Sequence, residues 1–216
     1  MLDSNSTDAT ARVARSLGAT VEERAWTGYV DARRHALARV ETAWTLMLDA
    51  DEVLDETLCA SIETSAMDVA AYQLRRITSL CGRPIRTAGW SDERLVRLFQ
   101  TQRVRLEAHS VGGAADLHER WIADGPVGEL PGAILHDSYP TLDSYREKFA
   151  RYTSLEAVGV RGSIVRLARV AALSCVRGVW WLLKYRGWED GWRGAFVAGY
   201  SAAYQIVVQW KALRVR

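Results

Sequence analysis

The chain has 216 residues, 49% of them hydrophobic, and a formal net charge of +2, which is enough apolar material for one domain with an appendage. The near-neutral charge argues against nucleic acid as the main partner, because binding a phosphate backbone requires a basic field. The three cysteines lie far apart without a Cys-x-x-Cys or Cys/His cluster, which indicates neither a disulfide framework nor a zinc site and favours a reduced, cytoplasmic setting.

The first 80 residues alternate between helical and strand patterns. Helices are predicted over residues 7–17, 28–40 and 55–66, and Ser4 or Ser6 would cap the first of them. Strands are predicted at ATVEER, WTLML and AAYQLRRI, and the second is expected to be buried because its five residues carry no charge. This alternation is typical of an α/β fold with a parallel sheet.

The texture changes in the second half of the chain. Residues 95–135 predict short strands separated by glycine turns, and three helices follow at residues 142–158, 163–185 and 191–213. The last helix contains an uncharged run, 194–210, at the short edge of membrane-spanning length. Polar residues inside this run favour a buried or interfacial helix over one that crosses a membrane.

The apolar run WTLML leads directly into three acids, Asp49, Asp51 and Glu52, the first two in a D-x-D pattern. In an open α/β sheet, ligands bind beyond the carboxyl ends of the strands, and Asp3 occupies a similar position near the start of the chain. Carboxylates at one rim repel each other unless a cation neutralises them, and Mg²⁺ or Mn²⁺ is the hard ion that oxygen ligands favour. The acids therefore predict a metal site open to phosphate oxygens. The alternative is that they favour the positive end of the following helix.

Five short motifs occur in the order DSNSTDAT, DADE, GWSDERLVRLF, LHE and LHDSY. In this order and spacing, and with RGWEDGWRGAF near the C-terminus, the chain resembles the family 2 glycosyltransferases. The likeness is greatest to the group that adds sugars to lipopolysaccharide core and related envelope glycans, in which the first two motifs usually read D-S-x-S-T-D-G-T and L-D-A-D-E. The resemblance covers essentially the whole chain.

The resemblance implies a GT-A type α/β domain over residues 1–140 and a C-terminal helical region over residues 141–216. It also implies a nucleotide-diphosphate sugar donor, a glycan or lipid-linked acceptor, and transfer of a hexose with inversion at the anomeric carbon. Asp3 matches the acid that contacts the donor base. Asp49 and Asp51 match the acids that hold the ribose and the metal with its diphosphate, so that a Mg²⁺ or Mn²⁺ cofactor is expected.

An inverting transfer needs a carboxylate that takes the proton from the acceptor hydroxyl. Glu119 in LHE and Asp92 in GWSDE are the two candidates, and each could equally be a surface acid. Glu119 is preferred, because His118 beside it supplies a second polar group that an apolar strand would not need. His136, which follows an apolar run in ILHDSY, is either a third metal ligand or a half-buried structural histidine.

The chain departs from the family pattern at three places. Ala9 replaces the usual glycine of the first motif, and His35 stands where asparagine is more common. Family members have a strand, a helix and a second strand before the first motif, where this chain has Met1 and Leu2. We therefore expect an N-terminally truncated gene model, produced by reading an internal GTG codon as the start, whose sheet would expose edges and lack one wall of the base pocket.

One face of the predicted helix at 163–185 carries four basic and two apolar side chains: Arg166, Arg169, Leu173, Arg177, Trp180 and Lys184. Basic residues with tryptophan suit an anionic membrane, which would place the protein peripherally on the inner face of the cytoplasmic membrane. The alternative is a solvated face on which arginine stems cover apolar neighbours.

Two other functions stay open from the sequence. The chain could be an inactive truncated fragment that serves as an interaction module, or a related enzyme that glycosylates a peptide or protein. Which sugar and which acceptor are used depends on pocket shape, which residue patterns do not specify.

Overall fold

The computed structural model of the chain describes residues 1–87, 90, 93–111 and 114–214, and it describes the backbone alone for residues 108–111, 114–119 and 175. The described residues form six α-helices: α1 (Thr10–Ser16), α2 (Tyr29–Leu37), α3 (Glu56–Thr64), α4 (Leu142–Val158), α5 (Ile164–Lys184) and α6 (Trp192–Ala212). They also form eleven strands: β1 (Leu2–Asp3), β2 (Glu22–Glu23), β3 (Trp44–Leu46), β4 (Glu52–Leu54), β5 (Ala71–Leu80), β6 (Arg83–Pro84), β7 (Glu93–Gln100), β8 (Val104–Val111), β9 (Ala114–Ala123), β10 (Val127–Glu129) and β11 (Ile134–Tyr139).

The central sheet has seven strands, in the order β3-β7-β5-β11-β4, with β6 and β10 also paired to β5. Strand β7 runs antiparallel to both β3 and β5, while β11 is parallel to β5 and antiparallel to β4. The prediction of a parallel sheet is therefore wrong, since the sheet is mixed. The cause is β7, which comes from later in the chain and lies between β3 and β5.

The alternation of side chains along β5 and β7 builds a core on each face of this sheet. Ala71 and Phe99 face one core, which α2 and the β8–β9 hairpin complete with apolar side chains. Tyr72, Leu74 and Leu98 face the other core, which α3 closes from outside. The α/β class predicted from the sequence is confirmed.

Strand β3 was predicted to be buried, but its three residues are only half-buried. It is the end strand of the sheet order and, among the residues that the structure describes, pairs only with β7, opposite Gln100 to Leu98. An uncharged run can thus form an edge strand as well as a central one. Strands β1 and β2 form a separate parallel pair, in which Asp3 lies opposite Glu23.

The first helix begins differently from the prediction. Its N-cap is Ala9, which makes no side-chain hydrogen bond, so neither Ser4 nor Ser6 caps it. Ser6 instead donates hydrogen bonds to the Asp3 carboxylate through its backbone N–H (2.9 Å) and its hydroxyl (2.6 Å). Ser6 of the first motif therefore binds Asp3, while Asp8 of the same motif accepts a hydrogen bond from the Thr10 N–H (2.9 Å) at the start of α1.

The three helices predicted at the C-terminal end are confirmed to within one residue at each end. Helix α6 packs against both α4 and α5. Tyr145 of α4 and Val197 of α6 share a core with Leu80 and Ile85 beside the sheet. The division of the chain into two domains at residues 140 and 141 stays a prediction.

Among the residues that the structure covers, no helix combines the length and the low polarity needed to cross a membrane.

Candidate functional site

The acidic motif forms a tight turn between β3 and β4. The Glu52 N–H donates to the Asp49 carbonyl (3.1 Å), and the Asp49 N–H donates back to Oε2 of Glu52 (2.9 Å). Glu52 is buried, whereas the side chains of Asp49 and Asp51 are 30% and 40% exposed. The third acid of the motif thus shapes the turn, and the first two reach its surface.

Two arginines hold the Asp49 carboxylate. Nη2 of Arg33, in α2, lies 2.6 Å from Oδ1, and Nη2 of Arg97, in β7, lies 2.8 Å from Oδ2. Burial acts to raise the pKa of Asp49, but the charges of Arg97 and Arg33 and their hydrogen bonds outweigh it, so the pKa lies below its ordinary value. Asp49 is therefore an ionised acid whose two oxygens both accept charge-assisted hydrogen bonds.

Glu52 is neutralised in the same way. Its Oε1 lies 3.1 Å from Nη2 of Arg97 and 3.1 Å from Nη1 of Arg76, in β5. Arg97 is itself almost fully buried and bridges Glu52 to Asp49. Repulsion between these carboxylates was the reason to expect a metal, and within the turn the arginines relieve it.

Asp51 has a different environment. Its Oδ2 lies 3.3 Å from Nε2 of His136, in β11, and 3.8 Å from Nζ of Lys148, in α4. The other ring nitrogen of His136, Nδ1, is hydrogen-bonded to the Thr78 hydroxyl at 3.2 Å, which fixes the imidazole. The hydrogen bond from His136 lowers the pKa of Asp51, and the charges of His136 and Lys148 add to this effect. The structure thus brings Asp51 and His136 together.

The residues of the turn suit a divalent cation in part. Among the described side chains, no three His, Cys, Asp or Glu residues cluster closely enough to hold a metal alone. Magnesium is often bound by one or two carboxylates together with substrate phosphates and water, and Asp51 supplies one such carboxylate. Asp49 is less available as a metal ligand, because both of its carboxylate oxygens already accept hydrogen bonds from arginines.

Asp3 lies in the separate β1–β2 pair. It is buried, and the hydrogen bonds from Ser6 lower its pKa below the ordinary value. No hydrogen bond or ion pair in the described part of the chain joins it to Asp49 or Asp51. An indirect connection runs through α2, where Nε2 of His35 lies 2.6 Å from Oε1 of Glu22 in β2 and Arg33 reaches Asp49.

The side chains of the two candidate bases lie outside the described residues. The backbone of Glu119 lies in β9, opposite Ala108 of β8, but the side chains of Glu119 and His118 are outside the described residues. Asp92 lies outside them altogether. Both candidates stay predictions.

Four cationic residues of the site were missed from the sequence: Arg33, Arg76, Arg97 and Lys148. Arg97 carried a usable signal, because it stands in the strand ERLVRLFQ directly before the buried pair Leu98 and Phe99. A charge on a buried strand needs a partner, and the acidic turn of the neighbouring strand is the nearest supply. The other three come from separate elements, and no local pattern distinguishes them from surface residues.

A mixed sheet covered by helices, with an acid-rich turn after an end strand, fits an α/β protein of the GT-A type with a C-terminal helical region. Comparison with known families places it further. The model of the family described as glycosyl transferase family 2 matches residues 1–112, more than half of the chain, and the chain belongs to this family. The matched segment includes Asp3, Asp49, Asp51 and Asp92, and it ends before Glu119.

Among curated proteins, similar relatives come from Rickettsia. A protein of Rickettsia bellii, described as an uncharacterized glycosyltransferase, is 43% identical over 63 residues, which are 29% of this chain and 21% of that protein. Proteins of Rickettsia prowazekii and Rickettsia typhi with the same description are each 40% identical over 63 residues, 29% of this chain and 22% of theirs. The matched segment therefore spans only about a fifth of the length of these relatives.

Proposed function

We propose that the chain is a glycosyltransferase that moves a hexose from a nucleotide-diphosphate sugar to a lipopolysaccharide core or another envelope glycan, with inversion at the anomeric carbon. The observation that carries the proposal is the turn that presents Asp49 and Asp51 partly exposed, with Asp51 beside His136, in a chain of family 2. An acceptor that is a lipid-linked glycan fits the same proposal.

The charges around the turn support binding of a diphosphate. Arg33, Arg76, Arg97 and Lys148 lie within ion-pair distance of the three acids of the turn, so each carboxylate of the turn has at least one cation beside it. Cationic side chains in a partly dry site attract phosphate oxygens strongly. In this proposal Asp3 contacts the donor base, and Asp49 contacts the ribose and orients Arg33 and Arg97.

A Mg²⁺ or Mn²⁺ ion belongs to the proposal as cofactor. Asp51 and His136 would hold it, with Asp49 as a further oxygen ligand after rearrangement of its arginines. Such an ion, when bound, stabilises the charge that develops on the departing diphosphate. Lys148, 3.8 Å from Asp51, adds a fixed positive charge on the same side.

The acceptor hydroxyl must lose a proton, and we assign this step to Glu119, with Asp92 as the rival. Replacement of the true base should lower turnover by about 10²–10⁴-fold and leave donor affinity nearly unchanged. Glu119→Gln and Asp92→Asn test the assignment directly. Near wild-type turnover in both variants would exclude both residues.

We further propose peripheral contact with an anionic membrane through α5. The helix contains no acidic residue, and Arg166, Arg169 and Lys184 flank an exposed apolar face. That face includes Val165 and Val176, which are 78% and 67% exposed. Apolar side chains that enter the lipid boundary, next to basic residues that meet anionic head groups, define an interfacial helix.

The function is tested by incubating the protein with nucleotide-diphosphate hexoses and Mn²⁺ or Mg²⁺, and by following nucleotide release with a lipid-linked glycan or with a peptide as acceptor. Release that requires the glycan supports the proposal, and release that requires the peptide supports a protein-modifying enzyme. Absence of both donor binding and release would favour an interaction module.

A further inference from the structure

A cavity lies among the C-terminal helices. It has a volume of about 350 Å³ and is bounded by α4, α5, α6 and the side chain of Trp90. Five aromatic rings and one cation line it: Trp90, Tyr145, Trp181, Tyr200, Tyr204 and Arg177. The proposed donor chemistry uses none of these side chains.

The rings of this aromatic cleft are arranged as walls. Trp90 and Tyr145 stack with centroids 6.1 Å apart and planes at 24°, and Tyr200 meets Tyr145 edge-on at 5.1 Å. An aromatic face carries partial negative charge and attracts the slightly positive C–H groups of a flat apolar surface. A pyranose ring presents such a surface on one side and hydroxyl groups around its edge.

Polar groups at the rim can meet those hydroxyls. Gln205 lines the cleft, and its amide is held in place because Nε2 donates to Oε1 of Glu156 at 3.1 Å. Ser201 adds an exposed hydroxyl one turn away on α6. A mostly aromatic pocket with a few fixed polar groups is the usual composition of a small-molecule site.

Arg177 gives the cleft a charge preference. It is exposed, and it makes no hydrogen bond or ion pair with any side chain that the structure describes. Its own helix offers no acid to neutralise it. A guanidinium in this position favours an anionic group, bound in a bidentate manner, as with phosphate or carboxylate.

The cleft is joined to the acidic turn by a short series of contacts. The rings of Trp90 and Tyr139 lie 5.4 Å apart, Nζ of Lys148 lies 5.2 Å from the Tyr139 ring centre, and the same Nζ lies 3.8 Å from Asp51. A ligand in the cleft and a donor at the turn would therefore be neighbours along one surface.

We propose that the aromatic cleft binds a sugar ring of the acceptor that carries a phosphate or carboxylate group, with the ring against the aromatic walls and the anionic group on Arg177. That the bound sugar is the acceptor rests on the proposed function. The saccharide site itself can be tested without any transfer reaction.

The test is ligand-observed NMR of the full chain with glucose 6-phosphate, glucuronic acid, glucose and inorganic phosphate as separate probes. The two anionic sugars should bind about tenfold more tightly than glucose, because a hydrogen-bonded charge pair adds to ring stacking. The stronger of the two identifies the anionic group. Equal binding of glucose and both acids, or binding of inorganic phosphate as tight as glucose 6-phosphate, would overturn the proposal.

Matched variants locate the binding. Arg177→Gln should weaken the anionic sugars about tenfold, while Arg169→Gln, which removes the same charge from the same helix outside the cleft, should not. Ser201→Trp should fill the cleft and block all sugars, whereas Ala195→Trp on the exposed side of α6 should not. Sugar binding that ignores both Arg177→Gln and Ser201→Trp places the site elsewhere and refutes the inference.

The donor arm separates this inference from the proposed function. Calorimetry with a nucleotide-diphosphate hexose and Mn²⁺ measures donor binding, which the proposed function places at the acidic turn, and the cleft variants should leave it unchanged. Donor binding without cleft-dependent sugar binding overturns the cleft and spares the transferase. Cleft-dependent sugar binding without donor binding supports the cleft and contradicts the proposed transferase function.

Discussion

The charged side chains of the turn after β3 are paired with residues of other elements, whereas those of helix α5 are exposed on a helix without acids. In the turn, Asp49 and Glu52 are each held by two arginines that come from other elements. On α5, Arg166, Arg169 and Arg177 stand beside exposed valines and leucines, with no acid on the helix. Charges of the first kind are part of the fold, since removing one partner strands the other. Charges of the second kind contribute little to folding and are available to a ligand or a surface.

The largest expected effect is on the internal pairs. Glu52→Ala should destabilise the protein by about 3 kcal/mol, because Arg97 and Arg76 would lose their one fully buried carboxylate and keep only the partly exposed Asp49 and Glu93 as partners. The free energy of unfolding from urea titration measures this loss. Glu129→Ala is the control, because its partner Arg94 is exposed and such surface pairs contribute at most about 1 kcal/mol. Similar losses of stability in the two variants would show that the ion pairs of Glu52 contribute no more to stability than an exposed pair does.

The next effect concerns α5. Changing Arg166, Arg169 and Arg177 together to Gln should weaken binding to vesicles containing anionic lipid by about two orders of magnitude, at about 1 kcal/mol per basic residue. Stability should change little. Sedimentation with vesicles at two salt concentrations checks both lipid charge and screening.

A charge-matched control for α5 is available. Arg12, Arg83 and Arg86 are exposed on other parts of the molecule, and changing all three to Gln removes the same net charge. Equal release from vesicles in the two triple variants would show that net charge, and not the α5 face, governs binding.

Asp51 should behave unlike Glu52, although both belong to one motif. Asp51→Asn is expected to lower donor affinity in Mn²⁺ by about 10–100-fold and to have little effect on stability, because the side chain is 40% exposed. Calorimetry with and without the metal measures the change. Donor affinity that is independent of metal in both proteins would remove Asp51 from the proposed metal site.

The smallest effect provides a scale for the others. Asp55 caps α3 by accepting a hydrogen bond from the Leu58 N–H at 2.7 Å, so Asp55→Ala should cost about 1 kcal/mol. Thermal unfolding measures the loss, and Asp55→Asn should restore most of the stability. A loss of stability as large as that of Glu52→Ala would show that the buried acid of the turn contributes no more to stability than a helix cap does.

Local patterns were sufficient for the elements whose period and end signals lie within one stretch of chain. The helices at residues 142–158, 163–185 and 191–213 were predicted to within one residue, since each has an apolar face at helical spacing. The DAD motif and its position after β3 were also visible in the sequence, and the match of residues 1–112 to the family 2 model agrees with the resemblance to that family. These features depend on neighbours a few residues apart, which a linear reading includes.

The remaining features depend on residues that are distant in the chain and meet only after folding. The sheet is mixed because β7 enters between β3 and β5, and nothing within β3 or β5 specifies that neighbour. The partners of the acidic turn come from α2, β5, β7 and α4, and the aromatic cleft combines Trp90 with three helices. Periodicity states which face of an element is apolar, but it does not state which element covers that face. Long-range packing therefore determines which cations neutralise Asp49 and Glu52, and it places Arg177 at an open cleft.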